Sequence, residues 1–178
     1  MRYHNITTAD MMNGEGLRVV LWLSACNHHC YNCQNPQTWD VNSGIPFDES
    51  AKEELFSELN KDYILGITFS GGDPLHEANL DGVLDLVTTV KENFPTKTIW
   101  LYTGYKFESI FFPLLINKIP SKEEEKRILI VKQCDVLVDG RYIDSQRNVQ
   151  AWWRGSNNQK VIDIQKSLKE KNIILYCD

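Results

Sequence analysis

Short apolar segments alternate with amphipathic segments along most of the chain. Four segments are continuously apolar enough for buried strands: residues 17–23, 63–69, 98–104 and 134–140. The end of the chain, residues 172–178, has the composition of a further strand. Two intervening segments repeat their apolar residues at helical spacing: Ala51, Leu55 and Leu59 in the first, and Leu80, Val83, Leu84, Val87 and Val90 in the second.

The start of the first helix is predicted by its polar residues. Ser50 and Glu53 have the spacing of a capping box, in which each side chain satisfies a backbone N–H of the other. The second helix is predicted to stop at residues 93–95, which include a proline. Both helices present one apolar face, so we expect them to pack on a sheet.

Strands that alternate with helices predict an α/β fold. Because the strands are continuously apolar, they indicate parallel pairing in a sheet with both faces covered. No repeat or linker divides the sequence, which predicts a single domain over residues 1–178. Eight strand–helix units typically take about 250 residues. The chain length of 178 residues therefore predicts an open, partial (β/α) barrel of parallel strands.

Three polar loops follow three consecutive predicted strands. The sequence CNHHCYNC, residues 26–33, follows the first strand, SGGDPL, residues 70–75, follows the second, and TGY, residues 103–105, follows the third. In parallel α/β sheets, ligand sites form beyond the carboxyl ends of the strands. We therefore expect these loops to meet at one end of the sheet.

The first of these loops contains three of the five cysteines of the chain. Cys26, Cys30 and Cys33 have the spacing C-x3-C-x2-C, which allows a short loop to bring three thiolates to one metal centre. In a structural zinc site, four protein ligands fill the coordination sphere, and a [4Fe-4S] cluster is usually bound by four cysteines. Three thiolates leave one iron of such a cluster open, and an open coordination position is typical of a catalytic site.

Zinc remains the alternative, because other side chains could complete a tetrahedron. His28 or His29 could do so from within the loop, and Cys134 or Cys177 from elsewhere in the chain. A domain that builds its own core does not need zinc to fold, so we favour the iron–sulfur site. We interpret Cys134 and Cys177 as small hydrophobic residues, and both histidines, like His76, as polar loop residues.

The second loop offers a place for a ligand with an amino-acid-like group. Gly71 and Gly72 allow a close approach to the backbone, whose N–H and C=O groups can hydrogen-bond such a ligand. Ser70 and Asp73 add polar side chains on either side. Next to a three-cysteine loop, this turn predicts a cofactor site.

Taken together, these features resemble the radical S-adenosylmethionine superfamily and, within it, the activating proteins of anaerobic ribonucleoside-triphosphate reductase. The resemblance extends over most of the chain and rests on these segments: NGEGLR (13–18), LSACNHHCYNCQNPQTW (23–39), VNSGIPF (41–47), SGGDPLH (70–76), TGYK (103–106), VLVDGRY (136–142) and WRGSNNQ (153–159). Two positions depart from the pattern. Asn32 stands where most of the superfamily has an aromatic residue, and Glu15 where the activating proteins usually have proline.

The resemblance implies a radical-SAM type of barrel and a specific set of ligands. It implies that one [4Fe-4S] cluster is bound by Cys26, Cys30 and Cys33, and that S-adenosylmethionine chelates the fourth iron. The implied cofactor contacts are Asn32, Cys33 and Gln34 on the adenosyl side, and Ser70, Gly71, Gly72 and Asp73 at the methionine end. We expect the adenine to contact the backbone at Asn32 because that side chain is not a ring.

The implied activity is the production of a glycyl radical. Reductive cleavage of S-adenosylmethionine would give a 5′-deoxyadenosyl radical, which would take a hydrogen atom from a glycine of the anaerobic reductase. A low-potential donor such as flavodoxin or ferredoxin would supply the electron. Two alternatives stay open: a radical enzyme that acts on another glycyl-radical enzyme or on a small molecule, and a structural zinc-binding interaction module.

Composition limits the environment and the partners. The net charge of −5 and the pI near 5.4 argue against non-specific binding to nucleic acid. The apolar runs are far shorter than the roughly 18 to 20 residues of a membrane span, and we expect no membrane association. The odd cysteine count and the absence of a recognisable signal segment predict a cytoplasmic protein. Residues 154–159, RGSNNQ, have turn composition and no role that the sequence alone assigns.

Overall fold

The computed structural model describes residues 1–177, which form a mixed α/β fold with an eight-stranded sheet and five helices. The strands are β1 (Arg2–Asp10), β2 (Arg18–Leu23), β3 (Ile45–Pro46), β4 (Gly66–Gly71), β5 (Thr98–Tyr102), β6 (Val136–Asp139), β7 (Lys160–Asp163) and β8 (Leu175–Cys177). The helices are α1 (Glu49–Leu59), α2 (Leu80–Asn93), α3 (Phe107–Leu115), α4 (Lys122–Gln133) and α5 (Ile164–Glu170).

The sheet has a parallel centre and antiparallel edges. Its strand order is β3-β1-β2-β4-β5-β6-β7-β8, and the four central strands, β2, β4, β5 and β6, are parallel. On either side, β1, β3, β7 and β8 pair antiparallel with their neighbours. The prediction of parallel strands is therefore confirmed for the centre and wrong for the edges. The seven residues between β1 and β2, 11–17, are too few for a parallel crossover, and an antiparallel pair needs none.

All five helices pack against the same face of the sheet. Alternate side chains of each central strand point to that face, and they join one hydrophobic cluster to which every helix contributes buried residues. The opposite face carries a smaller cluster of Trp100, Val136, Val138 and Val161, against which Trp153 packs. The continuous apolarity of the strands thus reflects two covered faces, of which helices cover one.

The predicted apolar stripe of α1 is confirmed, but its predicted cap is wrong. Ala51, Leu55 and Leu59 are buried. Instead of the Ser50–Glu53 capping box, Asp48 caps the helix, because its side chain accepts a hydrogen bond from the backbone N–H of Ala51 at 3.0 Å. The helix accordingly begins at Glu49, and Ser50 lies within its first turn.

Other elements agree with the sequence in part. The predicted helix over residues 80–93 is α2, and its stripe is buried except for Leu84, which is half-buried. The predicted strand over residues 172–178 is present as β8, while Asp178 lies outside the described residues. Across residues 1–177 we find no helix that is both long enough and apolar enough to span a bilayer.

A buried cation lies at the start of the central strands. Arg18 is fully buried, and its guanidinium donates to the hydroxyls of Thr68 (2.7 Å) and Thr98 (2.9 Å) and to the carbonyl oxygen of Ile67 (2.7 Å). It also lies 5.4 Å from the ring centroid of Trp100. Burial lowers the pKa of Arg18 to about 10. The side chain therefore joins β2, β4 and β5 at the end of the sheet opposite the cysteine loop.

We predict that Arg18→Met destabilises the protein by about 2 to 4 kcal/mol, because it leaves several buried acceptors without a donor. Urea unfolding of the metal-free chain measures this loss. Arg147→Met, at an exposed position, is the matched control and should change the free energy of unfolding by less than about 0.5 kcal/mol. Equal effects of the two substitutions would contradict a structural role for Arg18.

Candidate iron–sulfur site

The three clustered cysteines lie on a loop that leaves the carboxyl end of β2 and folds back on itself. The backbone N–H of Cys26 donates to the carbonyl oxygen of Trp39 at 3.1 Å, and the N–H of Cys33 donates to that of Cys30 at 3.1 Å. All three side chains are free thiols and half-buried. The loop therefore presents three thiols that are partly shielded from water.

The backbone of this loop is bent at three non-glycine residues with positive φ. These are Ala25 (72°), His29 (46°) and Asn32 (55°), so that one bend directly precedes each of the three cysteines. Non-glycine residues rarely adopt this conformation, and it is concentrated at functional sites where surrounding contacts compensate for the strain. The loop conformation is thus held by its contacts and not by local preference.

Backbone N–H groups lie close to the sulfur atoms of two of the cysteines. The N–H of Asn35 donates to Cys33 Sγ at 3.4 Å. Burial raises the pKa of Cys26 to about 11, and the nearby N–H groups of His28 and His29 partly offset this effect. Such N–H donors stabilise a thiolate, which is the form that binds iron.

A distant part of the chain lies close to Cys30. Burial raises the pKa of the Cys30 thiol, while the nearby backbone N–H of Tyr142 and the positive charge of Arg141 act in the opposite direction and favour the thiolate. Residues 141 and 142 follow β6, so the loop after the fourth central strand also reaches the cysteine loop.

The donor set fits a cluster better than a single metal ion. Within residues 1–177, no three His, Cys, Asp or Glu side chains are arranged to hold one metal ion between them. A zinc ion needs its ligands around one centre, whereas a [4Fe-4S] cluster takes each cysteine on a different iron and so accepts sulfur atoms that lie further apart. The three half-buried thiols, which form no such single-ion group, are compatible with the second requirement.

The glycine turn after β4 lies directly against the cysteine loop. The N–H of Gly72 donates to the carbonyl oxygen of Leu23, and the N–H of Asp73 to that of Ala25, both at 2.7 Å. Gly71 has a φ of 94°, and a Cβ atom on Gly72 would lie only 2.6 Å from the Ala25 oxygen. Only glycine permits this approach, so the predicted convergence of the two loops is confirmed.

The carboxylate of Asp73 joins three loops at this end of the sheet. It accepts hydrogen bonds from the backbone N–H groups of Leu75 (2.8 Å) and Gly104 (3.1 Å) and from the Thr103 hydroxyl (2.9 Å). The imidazole Nε2 of His28 lies 2.6 Å from Oδ2 of Asp73, the oxygen that also accepts from Gly104. The side chain is 2% exposed, so these contacts lie in the interior, where hydrogen bonds to a charge are strong.

His28 occupies a fixed position between these loops. Its ring packs edge-on against Tyr105 at 4.9 Å, and a Cβ atom on Gly104 would collide with it. The guanidinium Nε of Arg141 donates to His28 Nδ1 at 3.2 Å, so Nε2 carries the proton that faces Asp73. The sequence indicated only a polar loop residue, and nothing in the local pattern predicts this contact.

The remaining predicted contacts differ in exposure. Asn32 and Gln34 are exposed on the cysteine loop, where a ligand could reach them. Ser70 is buried at the end of β4, with 8% of its surface exposed. His29, the other loop histidine, packs edge-on against Trp39 at 4.8 Å. The structure therefore brings the cysteine loop and the glycine turn together and leaves the Asn32 and Gln34 side chains facing solvent.

Three further candidates lie outside the cysteine loop. His76 Nδ1 accepts a hydrogen bond from the backbone N–H of Ala78 at 3.1 Å, which is a turn contact. Cys134 is fully buried and its thiol donates to the carbonyl oxygen of Ile130 at 3.4 Å. Cys177 packs against the smaller hydrophobic cluster on the opposite face of the sheet. The interpretation of Cys134 as a core residue is thus confirmed.

Comparison with known proteins agrees with this geometry. Residues 12–162 match the model of a protein family described as a 4Fe-4S single cluster domain. The chain is 40% identical over 161 residues to the anaerobic ribonucleoside-triphosphate reductase-activating protein of Enterobacteria phage T4, an alignment that covers 90% of this chain and 93% of that protein.

Bacterial proteins of the same name match over similar lengths. Identity is 37% over 163 residues with the protein of Escherichia coli (strain K12), covering 90% of this chain and 97% of the relative. Identity is 35% over 161 residues with the protein of Haemophilus influenzae, and the alignment covers 89% of this chain and 96% of that relative. The chain therefore belongs to the family of 4Fe-4S single-cluster domains. Within it, the chain is a member of the anaerobic ribonucleoside-triphosphate reductase-activating proteins.

We predict that Asp73→Ala destabilises the metal-free protein by more than about 2 kcal/mol, because it leaves buried N–H and hydroxyl donors without an acceptor. Anaerobic urea unfolding measures the change. Asp40→Ala is the control, since Asp40 accepts from the N–H of Asn42 in an exposed turn and its loss should cost less than about 1 kcal/mol. A stability of Asp73→Ala equal to that of the control would show that the three loops do not depend on this carboxylate.

Proposed function

We propose that this chain, acting as one domain over residues 1–178, generates a glycyl radical on anaerobic (class III) ribonucleoside-triphosphate reductase. The observation that carries the proposal is the hydrogen-bonded contact between the three-cysteine loop and the glycine turn at one end of the sheet. The printed names of the relatives supply the target, and their lengths match that of this chain closely.

In this proposal Cys26, Cys30 and Cys33 each bind one iron of a [4Fe-4S] cluster, and the fourth iron takes S-adenosylmethionine. When bound, the cluster would supply one electron for the cleavage of S-adenosylmethionine into methionine and a 5′-deoxyadenosyl radical, and this radical would take a hydrogen atom from a glycine of the reductase. The protein would position the ligands: the backbone N–H of Asn35 donates to Cys33 Sγ, and all three thiols are half-buried.

The cofactor contacts divide between the two loops. We propose that Asn32, Cys33 and Gln34 line the adenosyl side, and that the backbone of Gly71 and Gly72, next to Ser70, receives the methionine end. The Asp73 carboxylate already accepts hydrogen bonds from Leu75, Thr103, Gly104 and His28, so we assign it to holding the turn in place. The sequence-based expectation is different: it places Asp73 among the residues that contact the methionine end of the cofactor directly.

The finer architecture and the setting are also part of the proposal. Helices on one face of a sheet with a parallel centre are consistent with an open, partial (β/α) barrel of the radical-SAM type. Cys26, Cys30, Cys33 and Cys134 are free thiols, the state that a reducing cytoplasm maintains. A low-potential flavodoxin or ferredoxin would deliver the electron.

We predict that the anaerobically reconstituted and reduced protein converts S-adenosylmethionine to 5′-deoxyadenosine, measured by chromatography. Cys30→Ala should abolish the product, because it removes a cluster ligand. Cys177→Ala is the matched control: it also removes one thiol, but from β8, and should retain the activity. A wild-type protein that takes up iron and sulfide and forms no product would overturn the proposal, as would equal product from Cys30→Ala.

The target is tested by adding the anaerobic reductase to the same mixture. We predict an electron paramagnetic resonance signal of a glycyl radical that requires both proteins and S-adenosylmethionine. Substitution of the receiving glycine by alanine in the reductase should eliminate that signal. If 5′-deoxyadenosine forms but no radical appears on the reductase, the chemistry stands and the substrate is a different protein or a small molecule.

A further inference from the structure

The stretch RGSNNQ, residues 154–159, forms a turn that is closed by a single side chain. The amide oxygen of Gln159 accepts hydrogen bonds from the backbone N–H groups of Gly155 (3.0 Å) and Ser156 (3.2 Å). Ser156 is fully buried, and its hydroxyl lies 3.3 Å from the same oxygen. The turn composition is therefore explained by a closed local structure with Gln159 at its centre.

Side chains of this turn hold the segment that follows β6, residues 140–143. Three hydrogen bonds join the two segments: Gln159 Nε2 donates to the carbonyl oxygen of Gly140 (2.9 Å), Asn158 Nδ2 donates to that of Arg141 (2.8 Å), and Ser156 Oγ accepts from the N–H of Ile143 (3.1 Å). Together they hold three of the four residues of a stretch that has no regular secondary structure of its own, and Tyr142 lies between two of the held residues.

Residues 154–159 are themselves anchored to the sheet. Lys160, the residue after Gln159, begins β7, and its backbone N–H donates to the carboxylate of Asp139 at 3.1 Å. The other oxygen of Asp139 accepts from the N–H of Phe107 at the start of α3, at 2.8 Å. Asp139 is 1% exposed and ends β6, so the turn and the segment that it holds share a rigid base.

The held segment contacts the cysteine loop through Arg141, whose Nε donates to His28 Nδ1 at 3.2 Å. Beside this contact, the backbone N–H of Tyr142 lies near the Cys30 thiol and favours its thiolate form. His28 in turn contacts the Asp73 carboxylate beside the glycine turn. A continuous series of contacts therefore runs from Gln159 to a proposed cluster ligand and to the proposed cofactor turn.

We infer that residues 154–159 act as a clasp that positions Cys30 and His28, with Gln159 and Ser156 as positioning residues for the cluster. The inference rests on the proposed function, in which Cys30 binds an iron. Hydrogen bonds to cluster sulfur atoms are among the factors that set reduction potential, because they stabilise the more negative, reduced form. If the clasp opens, Tyr142 loses its fixed place and the potential becomes more negative.

Two substitutions at Gln159 separate the parts of the clasp. Gln159→Glu keeps an acceptor for the N–H groups of Gly155 and Ser156 but loses the donor to Gly140. Gln159→Leu loses both. Asn157→Ala is the matched control from the same turn, because the exposed Asn157 side chain accepts from Asn148 and does not contact residues 140–143.

The experiment reconstitutes each variant anaerobically with iron and sulfide and measures iron content and the reduction potential by electron paramagnetic resonance titration. Both Gln159 variants should shift the reduction potential of the cluster to more negative values. They should also retain the cluster less well, with an affinity for it about 10- to 100-fold lower, as is usual for residues that support metal ligands. Asn157→Ala should match the wild-type protein. Thermal unfolding of the metal-free variants reports any loss of fold.

The outcomes separate the inference from the proposed function. A Gln159→Glu protein with wild-type potential and iron content overturns the clasp, even if its metal-free form is less stable. Should Gln159→Leu fail to fold, Gln159→Glu and Ser156→Ala decide the question, because each removes only one contact to residues 140–143. A wild-type protein that binds no cluster in the same preparation overturns the proposed function itself.

Discussion

The buried carboxylate of Asp73 is the contact on which the arrangement of the site depends. It lies in the turn after β4 and binds groups from the loop after β2, through His28, and from the loop after β5, through Thr103 and Gly104. A carboxylate in the interior requires such partners, since an unpaired buried charge is costly. The same requirement therefore keeps three loops in register, and with them the cysteines and the glycine turn.

The edges of the sheet show what the sequence pattern did not predict. β1 (Arg2–Asp10) has only Tyr3 and Ile6 buried, so its polar composition did not resemble the apolar central strands. α3 contains Pro113, a residue that normally argues against a helix interior. Antiparallel pairing of the outer strands depends on connection lengths and on which edge is free, and periodicity alone does not report either.

Some features of the site are visible in short sequence segments, whereas others depend on contacts between residues far apart in the chain. The cysteine spacing and the two glycines are local, and their positions after consecutive strands predicted the observed convergence. The contacts Arg141–His28 and Tyr142–Cys30 join residues more than one hundred positions apart, and only the folded register brings them together. The sequence therefore indicates only a polar loop residue at His28 and no role for RGSNNQ, although both lie in the contact network around the cysteines.

The central claim is that three cysteines bind a cluster whose fourth iron is available to S-adenosylmethionine. Mössbauer spectroscopy of the ⁵⁷Fe-reconstituted protein, with and without S-adenosylmethionine, tests it directly because the method resolves individual iron sites. The account predicts that one of the four irons has distinct parameters and that only this iron changes when S-adenosylmethionine is added. Four equivalent irons that do not respond to S-adenosylmethionine would contradict the account.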